Sequence, residues 1–133
     1  MVEMLETSNI IKNADDKSFI ILDEIGRGTS TFDGLAIAWA IIEKVLRSNK
    51  SRTLFATHYH ELTEIEKTNS KVRNVSCEIK EWNDEIIYSY KVIEGKSKGS
   101  LGIKVAELAG FPSDVIVEAK ALLEKLQTKG VNQ

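Results

Sequence analysis

A chain of 133 residues is one ordinary domain, long enough to bury about two-thirds of the surface its unfolded form exposes. With 42% apolar and 29% charged residues and a single proline it is neither disordered nor fibrous, and no apolar run approaches the roughly 18 residues of a membrane span. The 18 Lys and Arg against 20 Asp and Glu leave a net charge of −2, without the basic stripe that duplex DNA demands. The lone Cys77 excludes an intramolecular disulfide, reads as a buried inert thiol and suits a reducing compartment; with no signal peptide, a soluble cytoplasmic protein is expected.

Residues Met1 to about Asn13 read as an amphipathic helix with Met1, Met4, Leu5, Ser8 and Ile11 on one face. No start signal precedes it, which is expected where an earlier segment has been cut away. Asp15-Asp16-Lys17 then turns the chain into Phe19-Ile20-Ile21-Leu22-Asp23-Glu24. Four apolar residues ending in two carboxylates predict a strand buried on both faces, its acids at the carboxyl edge where open α/β sheets hold their ligands. There an aspartate can hold Mg²⁺ directly or through water, and the next residue, a glutamate, can orient an attacking water. This is the Walker B arrangement with a candidate base. The competing reading is a strand giving way to a solvated loop or a helix cap.

A long apolar helix is predicted from about Asp33 to Arg47, with Asp33 as N-cap and Leu35, Ala38, Trp39, Ile41, Ile42, Val45 and Leu46 covering more than one face. After the polar loop Ser48-Asn49-Lys50-Ser51, the run Thr53-Leu54-Phe55-Ala56-Thr57 is a second short buried strand. A strand, a helix and a strand imply a parallel pair with a right-handed crossover. His58 then stands at the same carboxyl edge as Asp23 and Glu24, within a strand spacing or two, where it could contact a terminal phosphate. The His58-x-His60 spacing also suits zinc, but the further ligands zinc requires are lacking, and His60 reads as structural.

A short helix to about Lys67 follows, and then the period changes. Val75, Cys77 and Ile79 alternate with polar residues, Trp82-Asn83-Asp84-Glu85 turns, and Ile86, Tyr88, Tyr90 and Val92 resume the alternation. This predicts an antiparallel hairpin with one wet face, extending or flanking the parallel sheet. Gly95-Lys96-Ser97 imitates the end of a phosphate loop, but Tyr90 stands where that motif needs its first glycine, so Glu94 to Ser100 reads as a flexible connection. Gly26-x-Gly28 likewise lacks the third glycine of the dinucleotide pattern, Thr31 standing there. The chain closes with a helix from Leu101 to Ala109 stopped by Gly110, and with a second helix begun at Pro112. Val115, Ile116, Ala119, Leu122, Leu123 and Leu126 give that helix an apolar stripe that must meet its own sheet or a partner. With no Arg or Asn and the single Gln127 along its length, it lacks the set of side chains that address base edges.

Two blocks together, Leu22-Asp23-Glu24-Ile25-Gly26-Arg27-Gly28-Thr29-Ser30-Thr31-Phe32-Asp33-Gly34-Leu35 and Phe55-Ala56-Thr57-His58-Tyr59-x-Glu61-Leu62, closely resemble the ATPase domain of the MutS family of DNA mismatch-repair proteins. The resemblance runs from Met1-Val2-Glu3-Met4 through Leu108-Ala109-Gly110-x-Pro112 into the last helix. It implies an ABC-type ATPase, in which two domains sandwich ATP and Mg²⁺ at a shared interface. Carried over, Asp23 binds Mg²⁺, Glu24 positions or activates water, and His58 senses the γ-phosphate. Gly26, Arg27, Gly28, Thr29, Ser30 and Thr31 resemble the D-loop that crosses to the partner subunit, Tyr90 falls where family members can carry a ring near adenine, and the last two helices resemble a dimerisation element.

The family's glycine-lysine phosphate loop and its serine-containing signature are not in this sequence. The resemblance therefore implies that residues 1–100 are the carboxyl-terminal half of a P-loop NTPase domain, an α/β fold with a partial parallel sheet, and that residues 101–133 are a helix-turn-helix. The implied partners are a second copy, mismatched DNA bound by other domains, and other mismatch-repair proteins, with no membrane. The alternatives are a dimerisation module without catalysis and an ABC-type ATPase of chromosome maintenance or transport.

Overall fold

The computed structural model describes residues 1–97 and 101–131, so the connection from Glu94 to Ser100 and the last two residues lie partly or wholly outside the described chain. The chain divides into two compact units, Met1–Asn74 and Val75–Gln133. The architecture is mixed α/β, with a short parallel sheet and a separate antiparallel hairpin.

The first unit runs α1 (Val2–Asn13), β1 (Phe19–Asp23), α2 (Thr31–Lys44), β2 (Arg52–Ala56) and α3 (Ile65–Thr68). β1 and β2 are parallel and in register from Phe19 opposite Arg52 to Asp23 opposite Ala56, with α2 as the crossover. Ile20 and Leu22 of β1 meet Ile41 of α2 and Val45 just beyond it, flanked by Ile10 and Ile11 of α1 and Phe55 of β2. Burying Ile20 and Leu22 contributes about 1.5–3 kcal/mol each.

The opposite sheet face is bare: Phe19, Ile21 and Leu54 are 60%, 66% and 58% exposed. The expectation of burial on both faces is thus corrected. α1 and α2 both pack on the Ile20 and Leu22 side, and a run of four apolar residues reads alike whether one layer or two lie against it. The face of α1 is corrected as well. Thr7 is its buried residue, donating to the Glu3 carbonyl at 2.8 Å, while Met1, Met4 and Leu5 are exposed.

Ser30, not Asp33, caps α2: its hydroxyl accepts the Asp33 N–H at 3.4 Å, and Asp33 occupies the first turn, where a carboxylate favours the helix dipole. α2 is apolar on two sides because it separates two clusters. Ala38 joins Tyr59, Leu62 and Ile65 in the second, with Leu35, Trp39, Ile42 and Leu46 around them. α2 ends in a π-helical turn, Val45–Asn49, closed by Lys50 in the left-handed conformation. The buried Asn49 amide donates to the carbonyls of Ile11 and Ala14 at 2.9 and 2.8 Å, satisfying orphan acceptors at the end of α1.

In the second unit, β3 (Val75–Trp82) and β4 (Glu85–Glu94) form an antiparallel sheet of their own, not an extension of the parallel pair. Asn83 and Asp84 both carry positive φ, the twist that a two-residue hairpin turn requires. Val75, Cys77 and Ile79 lie on the exposed face while Ser76 and Glu78 are half-buried, the reverse of the expected wet and dry sides, and Cys77 is exposed instead of buried. α4 (Gly102–Leu108) ends at Gly110 with φ +95, and the Phe111 N–H donates to the Ala106 carbonyl. α5 (Ser113–Val131) buries Ile116 but leaves Val115, Leu122, Leu123 and Leu126 exposed.

Candidate functional site

The parallel pair ends on a common rung. The Glu24 N–H, one residue beyond β1, donates to the Ala56 carbonyl at the end of β2 at 2.8 Å. Glu24 then leaves the ladder with φ +52, a left-handed conformation uncommon for a residue with a side chain. Asp23 and Glu24 therefore leave one strand at the edge where Thr57 and His58 leave the other, and the register makes this so, since Asp23 stands opposite Ala56.

On the β2 side, the Tyr59 N–H donates to the Thr57 hydroxyl at 3.0 Å and tightens the turn. His58 is exposed, and its ring stacks on Tyr59 with centroids 4.9 Å apart and planes at 29°. On the β1 side, the Glu24 carboxylate accepts from the Arg27 guanidinium at 2.8 Å. Arg27, Gly28, Thr29, Ser30 and Thr31 are exposed, with Ser30 capping α2 and Thr31 opening it, while Gly26 is buried.

Gly26 has φ +96 and lies against the first turn of α2. A Cβ on it would meet the Gly34 carbonyl oxygen at 2.6 Å and Cα at 2.8 Å. Only glycine fits this close approach of two backbones. A Cβ on Gly34 would in turn strike the Tyr59 hydroxyl and the Gly26 carbonyl oxygen, the latter at 2.5 Å.

Among the described residues no three His, Cys, Asp or Glu side chains converge on a metal-holding cluster. A cation at this edge would take a single carboxylate, that of the exposed Asp23, with its remaining ligands from water and phosphate oxygens. That donor set fits Mg²⁺, which keeps several waters and shares one or two carboxylates with substrate phosphates.

Residues 1–127 match the family model of MutS domain V. The chain belongs to the MutS domain V family. It is 53% identical over 129 residues to the DNA mismatch repair protein MutS of Thermodesulfovibrio yellowstonii, covering 97% of this chain and 15% of that protein. The MutS of Desulfosudis oleivorans is 57% identical over 125 residues, 92% of this chain and 14% of its own length, and that of Clostridium tetani 53% over 135 residues, 100% and 15%. The chain thus spans about one-seventh of the length of the curated relatives it matches.

Within this MutS domain V, the fold brings Asp23, Glu24 and His58 to one sheet edge, whereas Tyr90 belongs to the second unit. Tyr90 sits in an irregular stretch of β4, where Ser89, Tyr90 and Lys91 face Glu78 alone between the pairs Ile79–Tyr88 and Cys77–Val92. Its φ is +59 and its side chain is 94% exposed, turned out by the bulge. Sequence reasoning missed two features of this sheet edge: the ion pair of Arg27 with Glu24, and the Tyr59 hydroxyl on the Gly26 carbonyl at 3.4 Å. The i, i+3 spacing of opposite charges was a usable signal for the first. A contact across 33 positions left none for the second.

Proposed function

We propose that this chain is the hydrolytic edge of an ABC-type, P-loop NTPase domain that hydrolyses ATP in DNA mismatch repair. The observation that carries this reading is the parallel register that ends Asp23 and Glu24 beside Thr57 and His58. It is supported by the names of the relatives, DNA mismatch repair protein MutS. Residues 1–100 form the carboxyl-terminal half of the ATPase domain and residues 101–133 a helix-turn-helix dimerisation element. The whole protein works in the cytoplasm as a homodimer with mismatched DNA, bound by its other domains, and with other mismatch-repair proteins. Among the described residues no helix is long and apolar enough to cross a membrane.

ATP bound with Mg²⁺ supplies the phosphoryl group and its charge. Asp23 would hold the cation through its exposed carboxylate, directly or by way of water. Glu24, once exchanged from Arg27, accepts a hydrogen bond from the attacking water and aims it at the outermost phosphate. His58 donates to that phosphate from the other strand. Arg27 and the exposed loop to Thr31 face the partner subunit.

In the full-length protein, His58→Ala is expected to lower ATP hydrolysis by about 10- to 10²-fold, the kinetic worth of a hydrogen bond to a charged group, while His60→Ala stays within about 2-fold. Equal effects at the two histidines would remove the assignment. The exposed stripe of α5 favours a dimer contact, and sedimentation of the 133-residue chain against a version ending at Gly110 reads it directly: monomers in both cases would exclude that role.

A further inference from the structure

We propose that Tyr59 is a positioning residue that ties His58 to the loop leaving the acid pair, so that the two sides of the sheet edge hold one geometry. The proposal rests on the ATPase reading and deepens it.

Tyr59 is buried among Ala38, Leu62 and Ile65, which fix its ring against α2 and the segment following β2. One end of the residue is held by the Thr57 hydroxyl through the Tyr59 N–H, and the ring carries the stacked imidazole of His58. The far end delivers its hydroxyl to the Gly26 carbonyl, two residues beyond Glu24 and one before Arg27. At 3.4 Å this bond is long, yet it is the partner found for a buried phenol, which loses water on burial and needs an acceptor. Gly34 makes the contact possible, because any side chain there would occupy the place of the Tyr59 hydroxyl.

One stiff side chain therefore touches both the residue that meets the terminal phosphate and the loop whose Arg27 holds the candidate base. A phenylalanine would fill the same space and keep the stacking, but it would release the Gly26 carbonyl. Freed from that carbonyl, the loop can shift relative to His58, and a small misplacement at a site that works by positioning is felt in turnover more than in binding.

The test is steady-state ATP hydrolysis by the full-length protein with Mg²⁺, comparing Tyr59→Phe with wild type in the native and His58→Ala backgrounds. The expected result is a KM within about 2-fold, a kcat lowered about 3- to 10-fold, equivalent to losing one ordinary hydrogen bond, and a thermal midpoint lowered by no more than about 4 °C. In the His58→Ala background the same substitution should cost less than about 2-fold, because the ring then has nothing to position. A wild-type kcat for Tyr59→Phe, or an equal loss with and without His58, overturns the proposal. Tyr59→Leu, which fills the core without ring or hydroxyl, should lose at least as much kcat with KM retained, and wild-type turnover from it overturns the proposal equally. Glu24→Gln in the same assay separates the two ideas. If the wild-type protein does not hydrolyse ATP, the ATPase reading itself falls; if Glu24→Gln hydrolyses ATP normally, the base lies elsewhere and the reading of this edge as the hydrolytic site falls, the role of Tyr59 with it; if Glu24→Gln is inactive while Tyr59→Phe is normal, only the role of Tyr59 falls.

Discussion

Glu24→Gln in the full-length protein should leave ATP bound to within about 2-fold while hydrolysis falls by about 10²-fold or more, the usual worth of a positioned general base. The substitution keeps the shape of the side chain and removes only its charge and basicity. Its effect on folding should be small, because the ion pair it breaks with Arg27 is largely in solvent, and an exposed pair of this kind stabilises by about 0–1 kcal/mol. For the same reason Arg27 is a weak hold on the carboxylate, easily exchanged for water when a nucleotide arrives. Single-turnover hydrolysis alongside equilibrium nucleotide binding separates the two quantities. A variant that binds and hydrolyses normally would move the base elsewhere and leave Glu24 as the place where a strand ends.

Gly26→Ala should destabilise the chain by about 3 kcal/mol, and Gly28→Ala by only about 1 kcal/mol, although both glycines have φ near +90. The difference lies in what surrounds them. A Cβ at Gly28 meets nothing within 4 Å, so its substitution costs backbone strain alone. At Gly26 the added carbon meets the backbone of Gly34, which cannot swing aside as a flexible side chain would, so α2 must move away from the sheet edge. Against a net stability of about 5–15 kcal/mol for a domain, the larger loss is a substantial fraction. Chemical denaturation of the two variants measures it, and equal losses would mean that the close approach of Gly26 and Gly34 contributes nothing beyond conformation.

Much of the first unit was legible in the sequence because its signals are local. Four apolar residues, a long apolar helix and a second short strand specify a strand, a crossover and a parallel partner, and the register that follows carries Asp23 and His58 to one edge without any further information. The hairpin was legible from its alternation, and the last helices from Gly110 and Pro112. What failed was sidedness. The faces of α1 and β3 and the second face of β1 depend on which layers are present to cover them, and periodicity alone names a stripe without naming its neighbour. The cap of α2 was misplaced because Ser30 and Asp33 both suit an N-terminus, and three residues decide whether a side chain caps the helix or occupies its first turn.

The uncovered side of the parallel pair marks where this segment leaves room for a neighbour. Ile21 and Leu54 stand directly opposite each other in the ladder with Phe19 on the same side, so three bulky hydrocarbons lie next to one another in water. A patch of this kind is what a further layer of structure covers, and in a protein about seven times longer the residues that flank this segment have a ready-made seat on it. Polar substitution of Ile21 or Leu54 would therefore be felt through whatever packs there, and the strand-end acids, which stand clear of that seat, would keep their place at the edge.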